Sequence, residues 1–332
     1  MCRGDRRSIS ASNRSSRVRG KLFGSCSGAT RARRFLDVNG ASRDPATHVD
    51  APVDAIEPRA HVNSVVARSG TSFLWGLRVL PSERRRAMHA IYAFCREVDD
   101  IADEPGEIAD KARALAAWRH EIARLYAGHP TWPTTKALLR PVKRFGLPER
   151  EFLAVIDGME IDAAPAVRMQ SLGDLLNYCR KVAGSVGMLS IHAFGVPQQP
   201  GPMIAENLGN ALQLTNILRD LKEDAALQRL YVPLDMLRKH GVATHPTSAI
   251  FRDPRFPDVC ADLAGIARGY YAEASRLLTQ LGWRKMRPAA LMMAIYRETL
   301  DRLEQRGWSQ IGDPIRLSPV RKMCLAIRYG LL

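Results

Sequence analysis

From about residue 62 to the end of the chain, apolar residues recur at intervals of three and four, and apolar–polar alternation nowhere persists. That spacing predicts amphipathic helices throughout. Proline and glycine mark the breaks between them. Pro81-Ser82-Glu83 opens a helix running to about Asp103, where Pro105-Gly106 stops it. A second covers about Ile108 to Tyr126, closed by Gly128 and Pro130. Shorter helices are expected near 134–144 and 148–163, split by Gly146 and Pro148. Others are expected over 171–195, with Gly184 and Gly187 inside, and over about 201–226. A short helix follows Pro233 to about His240, and long amphipathic helices cover about 256–281 and 285–306. No internal boundary divides residues 62–332, which read as one all-α domain.

Two of these helices carry an unusual polar stripe. On the first, Tyr92, Arg96, Asp99 and Asp103 fall in one narrow arc; on the second, Gln213, Asn216, Asp220 and Asp224 do the same. The residues around each stripe are largely apolar, among them Ile91, Phe94, Val98, Leu214, Ile217 and Leu218. Aspartates one helical turn apart repel each other unless a cation lies between them. Two such faces turned toward each other make a cage of hard oxygen ligands that suits Mg²⁺, and through it a diphosphate. The competing interpretation is two exposed acidic helix ends. One copy alone would favour it; two copies with similar polar offsets favour the cage.

Composition narrows the field. The chain has 332 residues, 46% of them hydrophobic, enough for a substantial core. No apolar run approaches the roughly 18–20 residues that span a bilayer. Formal net charge is +15, unevenly placed. Residues 1–34 hold ten Lys or Arg against one Asp and are rich in Ser and Gly, while residues 62 onward spread their excess over a far longer stretch. Residues 1–61 are therefore expected to be a disordered extension and linker. A transit peptide, a basic arm for anionic lipid or nucleic acid, and an extension without a defined role all fit that composition. The six cysteines show no CxxC pair, which fits a reduced intracellular protein. Eight scattered histidines form no zinc-ligand spacing.

The residues that carry the polar stripes resemble the squalene/phytoene synthases, head-to-head prenyl diphosphate synthases. The resemblance covers about residues 62–332. It rests on Ser72-Phe73, on the block Tyr92 to Asp103, on Tyr178-Cys179-Arg180-Lys181-Val182-Ala183-Gly184-Ser185-Val186-Gly187, and on Gln213 to Asp224 followed by Arg229-Leu230-Tyr231-Val232-Pro233. Within the family, Val182 to Gly187, Ile191 to Gly195 and the tail Arg316 to Lys322 are most similar to the bacterial presqualene diphosphate synthases of hopanoid biosynthesis. The resemblance implies an isoprenoid synthase-type helical bundle, with a central apolar cavity and two facing Asp-rich helices. It implies condensation of two farnesyl diphosphates with Mg²⁺ (Mn²⁺ as an alternative) and without NADPH. It also implies a cytoplasmic enzyme in peripheral contact with a membrane, a downstream enzyme converting presqualene diphosphate to squalene, and no nucleic-acid partner.

Roles follow for individual residues. Asp99, Asp103, Asn216, Asp220 and Asp224 are the expected metal ligands. Arg96 and Arg229 can fork onto phosphate oxygens, and Tyr92 and Tyr178 can steady an allylic cation. Ser72, Phe73, Gln213 and Tyr296 complete the expected substrate contacts, with Phe73 and Phe94 as walls of an apolar tunnel. Thr71 stands where the family often has a basic residue, which weakens a phosphate contact from that loop. Tyr178 reads equally as a core tyrosine, and Gly184 and Gly187 as positions that let helices pack closely. Asp157, Glu160 and Asp162 read as a solvated acidic face. Squalene, dehydrosqualene and phytoene synthases remain alternatives, and a non-catalytic nucleic-acid- or membrane-binding protein is a distant one.

Overall fold

A computed structural model describes residues 57–69, 76–312, 315 and 317–330. The expectations for residues 1–56 and for Thr71, Ser72 and Phe73 lie outside the described residues. The chain opens with α1 (Pro58–Ser69), four residues ahead of the boundary expected at 62. There follow α2 (Ser82–Asp103), α3 (Ile108–Ala127), α4 (Pro133–Phe145) and α5 (Glu149–Asp162). Two-residue strand β1 (Val167–Arg168) leads into α6 (Leu172–Cys179), a π-helical turn Arg180–Gly184, and α7 (Ser185–Phe194). Next come α8 (Gly201–Arg219), α9 (Leu221–Ala226), β2 (Arg229–Leu230), α10 (Leu234–Lys239) and α11 (Thr247–Ile250). The last elements are α12 (Phe256–Leu281), a 3₁₀ turn Trp283–Met286, α13 (Arg287–Arg306) and α14 (Pro319–Gly330).

The helix ends are built by the residues that the sequence marks as punctuation. Gly128 and Gly146 cap α3 and α4 in the left-handed conformation, at φ 91° and 60°, which costs glycine no Cβ clash. Ser171 and Asp174 form a reciprocal capping box at the start of α6.

Helix α8 is the central member, packed against α7, α12, α13 and the π turn. Helix α2 runs beside α1, α4, α5 and α7. The core therefore joins the two Asp-bearing helices from both sides. Phe94 is fully buried, its ring edge-on to Trp118 at 5.3 Å and to Phe152 at 5.0 Å. It belongs to the α2–α3–α5 core and is not a tunnel wall, because its position on α2 faces those two helices. Burying such a side chain contributes about 1.5–3 kcal/mol.

Two expected helices are interrupted. The helix over 171–195 loosens to π geometry at Arg180–Gly184, where the Ser185 N–H donates to the Arg180 carbonyl and the Ser185 hydroxyl donates to the same oxygen at 3.1 Å. Here α8 comes against the turn: a Cβ on Gly209 would lie 2.8 Å from the Gly184 Cα. One on Gly187 would lie 2.9 Å from the Ala205 carbonyl oxygen. Both contacts favour the packing interpretation of Gly184 and Gly187. The helix over 201–226 bends at Asp220, with φ −104° and ψ 19°. Hydrogen bonds nonetheless continue through it, from Asp220 N–H to the Asn216 carbonyl at 2.9 Å and from Asp224 N–H to the Asp220 carbonyl at 2.8 Å. The pair β1–β2 is parallel, with Val167 opposite Arg229 and Arg168 opposite Leu230.

Candidate active site

The first polar stripe lies on the inner side of α2. Tyr92 is 2% exposed and Asp99 is 2% exposed. Burial pushes the Asp99 carboxyl well above the usual carboxylate range, and the charge of Asp103 adds to it, against the pull of Arg96. Arg96 pairs with Asp100 at 2.5 Å and stands 3.6 Å from Asp99. One turn on, Asp103 receives Arg229 Nη1 at 2.6 Å. The guanidinium also donates to the carbonyls of Ala102, at 2.9 Å, and Asp162, at 3.0 Å. The register of β2 against β1 brings Arg229 here, 126 residues beyond its partner.

The second stripe lies at the end of α8. Gln213, Asn216 and Asp224 are buried. Asn216 Nδ2 donates to Gln213 Oε1 at 3.4 Å, and Gln213 Nε2 has no hydrogen-bond acceptor among the described residues. Asp220, at the bend, accepts a two-pronged contact from Arg219 at 2.7 and 2.6 Å.

Between the stripes sits Asp162, a carboxylate expected on a solvated face and found buried. Asp162 is 3% exposed and accepts hydrogen bonds from the Tyr178 hydroxyl, at 2.8 Å, and from Tyr231. The two rings stack 4.8 Å apart. Burial and then the charge of Asp162 raise both phenols far above their ordinary values, and Asp224 adds to each. Asp99 responds to Asp162 as well. Charge from both aspartate helices thus converges on one buried locus. Asp157 and Glu160 behave differently: they pair with Arg119 on the outside of α5, at 2.5 and 2.8 Å. Their acidic neighbourhood hid Asp162. Its angular offset from them, roughly 140° from Asp157 and 200° from Glu160 on a helical wheel, was the available signal. Tyr231 lay inside the block that carried the family resemblance, but nothing in its spacing singled it out.

An apolar cleft runs along α8 from the second polar stripe. It is open to solvent, with a cavity volume of about 90 Å³, and is lined by residues from Ile204 to Asn216, by Gly187 and Phe194 of α7, and by Met286, Met292 and Tyr296. Twelve residue steps along α8, from Ile204 to Asn216, make it about 18 Å long. Gln213 and Asn216 stand at its polar end. Tyr296 lies near that end too, since Tyr271, bonded to Thr215 at 2.9 Å, senses the Tyr296 phenol. Phe194 and Met286 close the other end.

The structure thus gathers Asp99, Asp103, Arg96, Arg229, Tyr178 and Asp224 around a buried acidic centre, and places Gln213, Asn216 and Tyr296 on the adjoining cleft. Among the described residues, no three His, Cys, Asp or Glu side chains form a ready-made metal cage. What stands there is a pair of carboxylates per helix, all oxygen donors.

A fold of facing Asp-bearing helices around an apolar cleft can be compared with known proteins. The family profile described as squalene/phytoene synthase matches residues 66–322. The chain belongs to the squalene/phytoene synthase family. Among its family relatives, the presqualene diphosphate synthase of Sinorhizobium fredii is 39% identical over 276 residues, covering 83% of this chain and 99% of that protein. The presqualene diphosphate synthase of Zymomonas mobilis is 43% identical over 246 residues, covering 74% and 84%. Among solved structures, a ligand-bound dehydrosqualene synthase superposes with a TM-score of 0.72 at 28% identity, over 82% of this chain and 95% of that one. Both Asp blocks, the π turn and the cleft-lining part of α8 fall inside the family match.

Proposed function

We propose that this synthase condenses two farnesyl diphosphates head to head, giving presqualene diphosphate and releasing diphosphate. The observation that carries this reading is the junction of a buried acidic centre with an apolar cleft of about 18 Å, a length suited to an extended farnesyl chain. Asp99, Asp103, Asp220 and Asp224, with the Asn216 side-chain oxygen, would hold Mg²⁺ or Mn²⁺. The fit is chemical: all donors are hard oxygens, and Mg²⁺ commonly takes only one or two carboxylates, leaving its other positions to water and substrate phosphates. Burial, and then the charge of Asp103, push the Asp99 carboxyl up beyond what Arg96 offsets, and a bound cation would bring it down. When bound, the metal neutralises diphosphate oxygens and makes the group a better leaving group.

The protein's own residues supply the rest. Arg96 forks onto phosphate oxygens, and Gln213 Nε2 offers a buried donor at the head of the cleft. Arg229, expected as a second phosphate fork, is instead committed to Asp103 and to the Ala102 and Asp162 carbonyls, so its part is to position Asp103. As the C1–O bond of one farnesyl diphosphate breaks, diphosphate departs with the electron pair. The first double bond of the second molecule attacks that carbon, and loss of a proton closes the cyclopropane ring. The departed diphosphate accepts this proton. Tyr92 and Tyr178 steady positive charge through ring faces and phenol oxygens, and the cleft walls keep water from the cation. Burial, and then the charge of Asp162, keep the Tyr178 hydroxyl protonated. The product is apolar but for its diphosphate, so peripheral contact with a membrane surface, and a partner that converts presqualene diphosphate to squalene, complete the reading.

Purified protein given farnesyl diphosphate and Mg²⁺, with and without NADPH, tests it by mass spectrometry. Presqualene diphosphate in both conditions supports the proposal. Squalene only with NADPH would make this chain a full squalene synthase. Turnover of geranylgeranyl diphosphate alone would make it a phytoene synthase.

A further inference from the structure

At the closed end of the cleft, the chain builds a surface that condensation itself does not need. Three of the five large apolar side chains that stand exposed among the described residues belong to one twelve-residue helix: Val320 at 67%, Met323 at 47% and Ile327 at 47% on α14. Their spacing of three and four places them within an arc of roughly 60°. Leu325, on the other side of the helix, is 7% exposed and packs inward, and α14 rests on α13. An apolar stripe this concentrated on a short outward helix marks an interaction surface and not scattered exposure.

Charge identifies the partner. Arg328 stands exposed at one edge of the stripe; Arg321 on the same edge is paired with Glu298 of α13 at 2.7 Å, and α14 itself contains no acidic residue. Tyr329 reaches the 3₁₀ turn that precedes α13, its ring edge-on to Trp283 at 5.9 Å. That turn presents Arg284 and Lys285 outward, with Arg287 just after it. A further surface depression is lined by Arg84, Arg284, Lys285 and Arg287. Phe194 lines both this depression and the apolar cleft, and Met286 of the same turn lines the cleft. The cationic turn therefore adjoins the end of the cleft farthest from the aspartates, and the Trp283–Tyr329 contact joins α14 to that turn.

We propose that α14 and the Trp283–Met286 turn dock this synthase onto an anionic lipid bilayer, with α14 lying in the headgroup plane and the cleft's distal end facing the lipid. This deepens the membrane contact put forward above and rests on it. An amphipathic helix with a basic edge and a Trp–Tyr pair at its base has the composition of an interfacial element. No helix among the described residues is long and apolar enough to cross a membrane, so contact through a helix laid flat is the geometry open to them. A second copy of the chain is the poorer occupant, because a twofold contact would bring the basic edges of like helices together.

The test uses the full chain in sedimentation with phosphatidylcholine vesicles, with and without about 30% phosphatidylglycerol, since anionic lipid supplies the attraction. Wild type is expected to bind the anionic vesicles at least about tenfold more tightly, and Val320→Asp/Met323→Asp/Ile327→Asp to lose at least about tenfold of that. Farnesyl diphosphate turnover in detergent should be the same for both proteins. A second readout places an environment-sensitive fluorophore on exposed Cys324 after Cys2→Ser and Cys26→Ser, the other three cysteines being buried. Blue-shifted emission with anionic vesicles supports the proposal. Equal binding by wild type and the triple variant would overturn this location while leaving membrane contact itself intact, for instance through the basic N-terminal segment. No binding by wild type would overturn both, and turnover in detergent would report on the condensation separately.

Discussion

Arg229 reaches back across 126 residues to meet Asp103 at 2.6 Å, and both side chains are at most 5% exposed. The contact ties the strand after the second aspartate helix to the last turn of the first. Removing one partner of such a pair leaves a buried charge and costs about 3–5 kcal/mol. Arg229→Leu is expected to lose that much in denaturant unfolding. Arg229→Lys should lose less, because it keeps a charge while giving up the fork to the Ala102 and Asp162 carbonyls. A double-mutant cycle with Asp103→Asn should show coupling above about 1.5 kcal/mol. Additive losses would mean that the ion pair does not join the two segments energetically.

Asp162 holds two phenols at once, and Tyr178 is the one that the proposed chemistry uses. Tyr178→Phe removes a single hydrogen bond to a carboxylate, worth about 1.5–3 kcal/mol, and leaves Tyr231 in place. The expected result is that loss of stability together with a fall in kcat of about tenfold or more and little change in KM. A stability loss with kcat unchanged would return Tyr178 to the role of a core tyrosine. Asp162→Asn should lower kcat through Tyr178, because an amide nitrogen then faces one of the hydroxyls and cannot accept its proton.

Helical periodicity made α2, α3, α4 and α5 legible to within a residue or two, because their ends are written in Pro and Gly. The same period predicted unbroken helices over 171–195 and 201–226, and there it failed for a tertiary reason. The π turn is shaped by Gly209 meeting Gly184 at the crossing of α8, which is a contact between distant segments. Strand pairing over two residues is too short to leave any alternation, so the placement of Arg229 was invisible although its chemistry was not. Helix α14 went unseen because its exposed apolar stripe does not follow the usual apolar-inward rule. The aspartates, Gln213 and Asn216 were readable because repeated polar residues among apolar ones need a reason. Asp162 was not, since two surface acids on the same helix supplied a sufficient one.

Glu121 gives a pH signature away from the proposed chemistry. Burial alone would raise its carboxyl, but hydrogen bonds from the Thr135 hydroxyl, the Trp132 N–H, and the Thr131 hydroxyl and N–H outweigh it and hold the carboxyl below its ordinary 4.5. A carboxyl lowered in the folded state binds fewer protons there than in the unfolded chain. Its contribution is therefore fully present above about 4.5 and is lost as pH falls through the folded value. Glu121→Gln should destabilise the protein near neutral pH, since an amide cannot accept from all four donors. The gap between variant and wild type should then shrink below pH 4.5. Unfolding curves from pH 3 to 7 measure it, and a gap independent of pH would show that the charge plays no part.

Chain length should be set where the cleft closes. Phe194, 7% exposed, and Met286, 1% exposed, stand at the end opposite Gln213 and Asn216. A longer prenyl tail anchored by its diphosphate at the acidic centre must push into that end. Met286→Ala removes side-chain volume there at a cost of about 2–5 kcal/mol when the space is empty. A longer substrate fills the space and recovers part of that loss. The ratio of kcat/KM for geranylgeranyl over farnesyl diphosphate should then rise by about tenfold or more, each well-placed methylene group being worth up to ~1 kcal/mol. Gly187→Ala acts at the Ala205 end of the same cleft, where the new methyl would meet the Ala205 backbone and disturb the packing of α7 on α8, and should lower both substrates together. If Met286→Ala left the ratio unchanged, the tail would end short of Met286, and the length limit would belong to a residue nearer Tyr296.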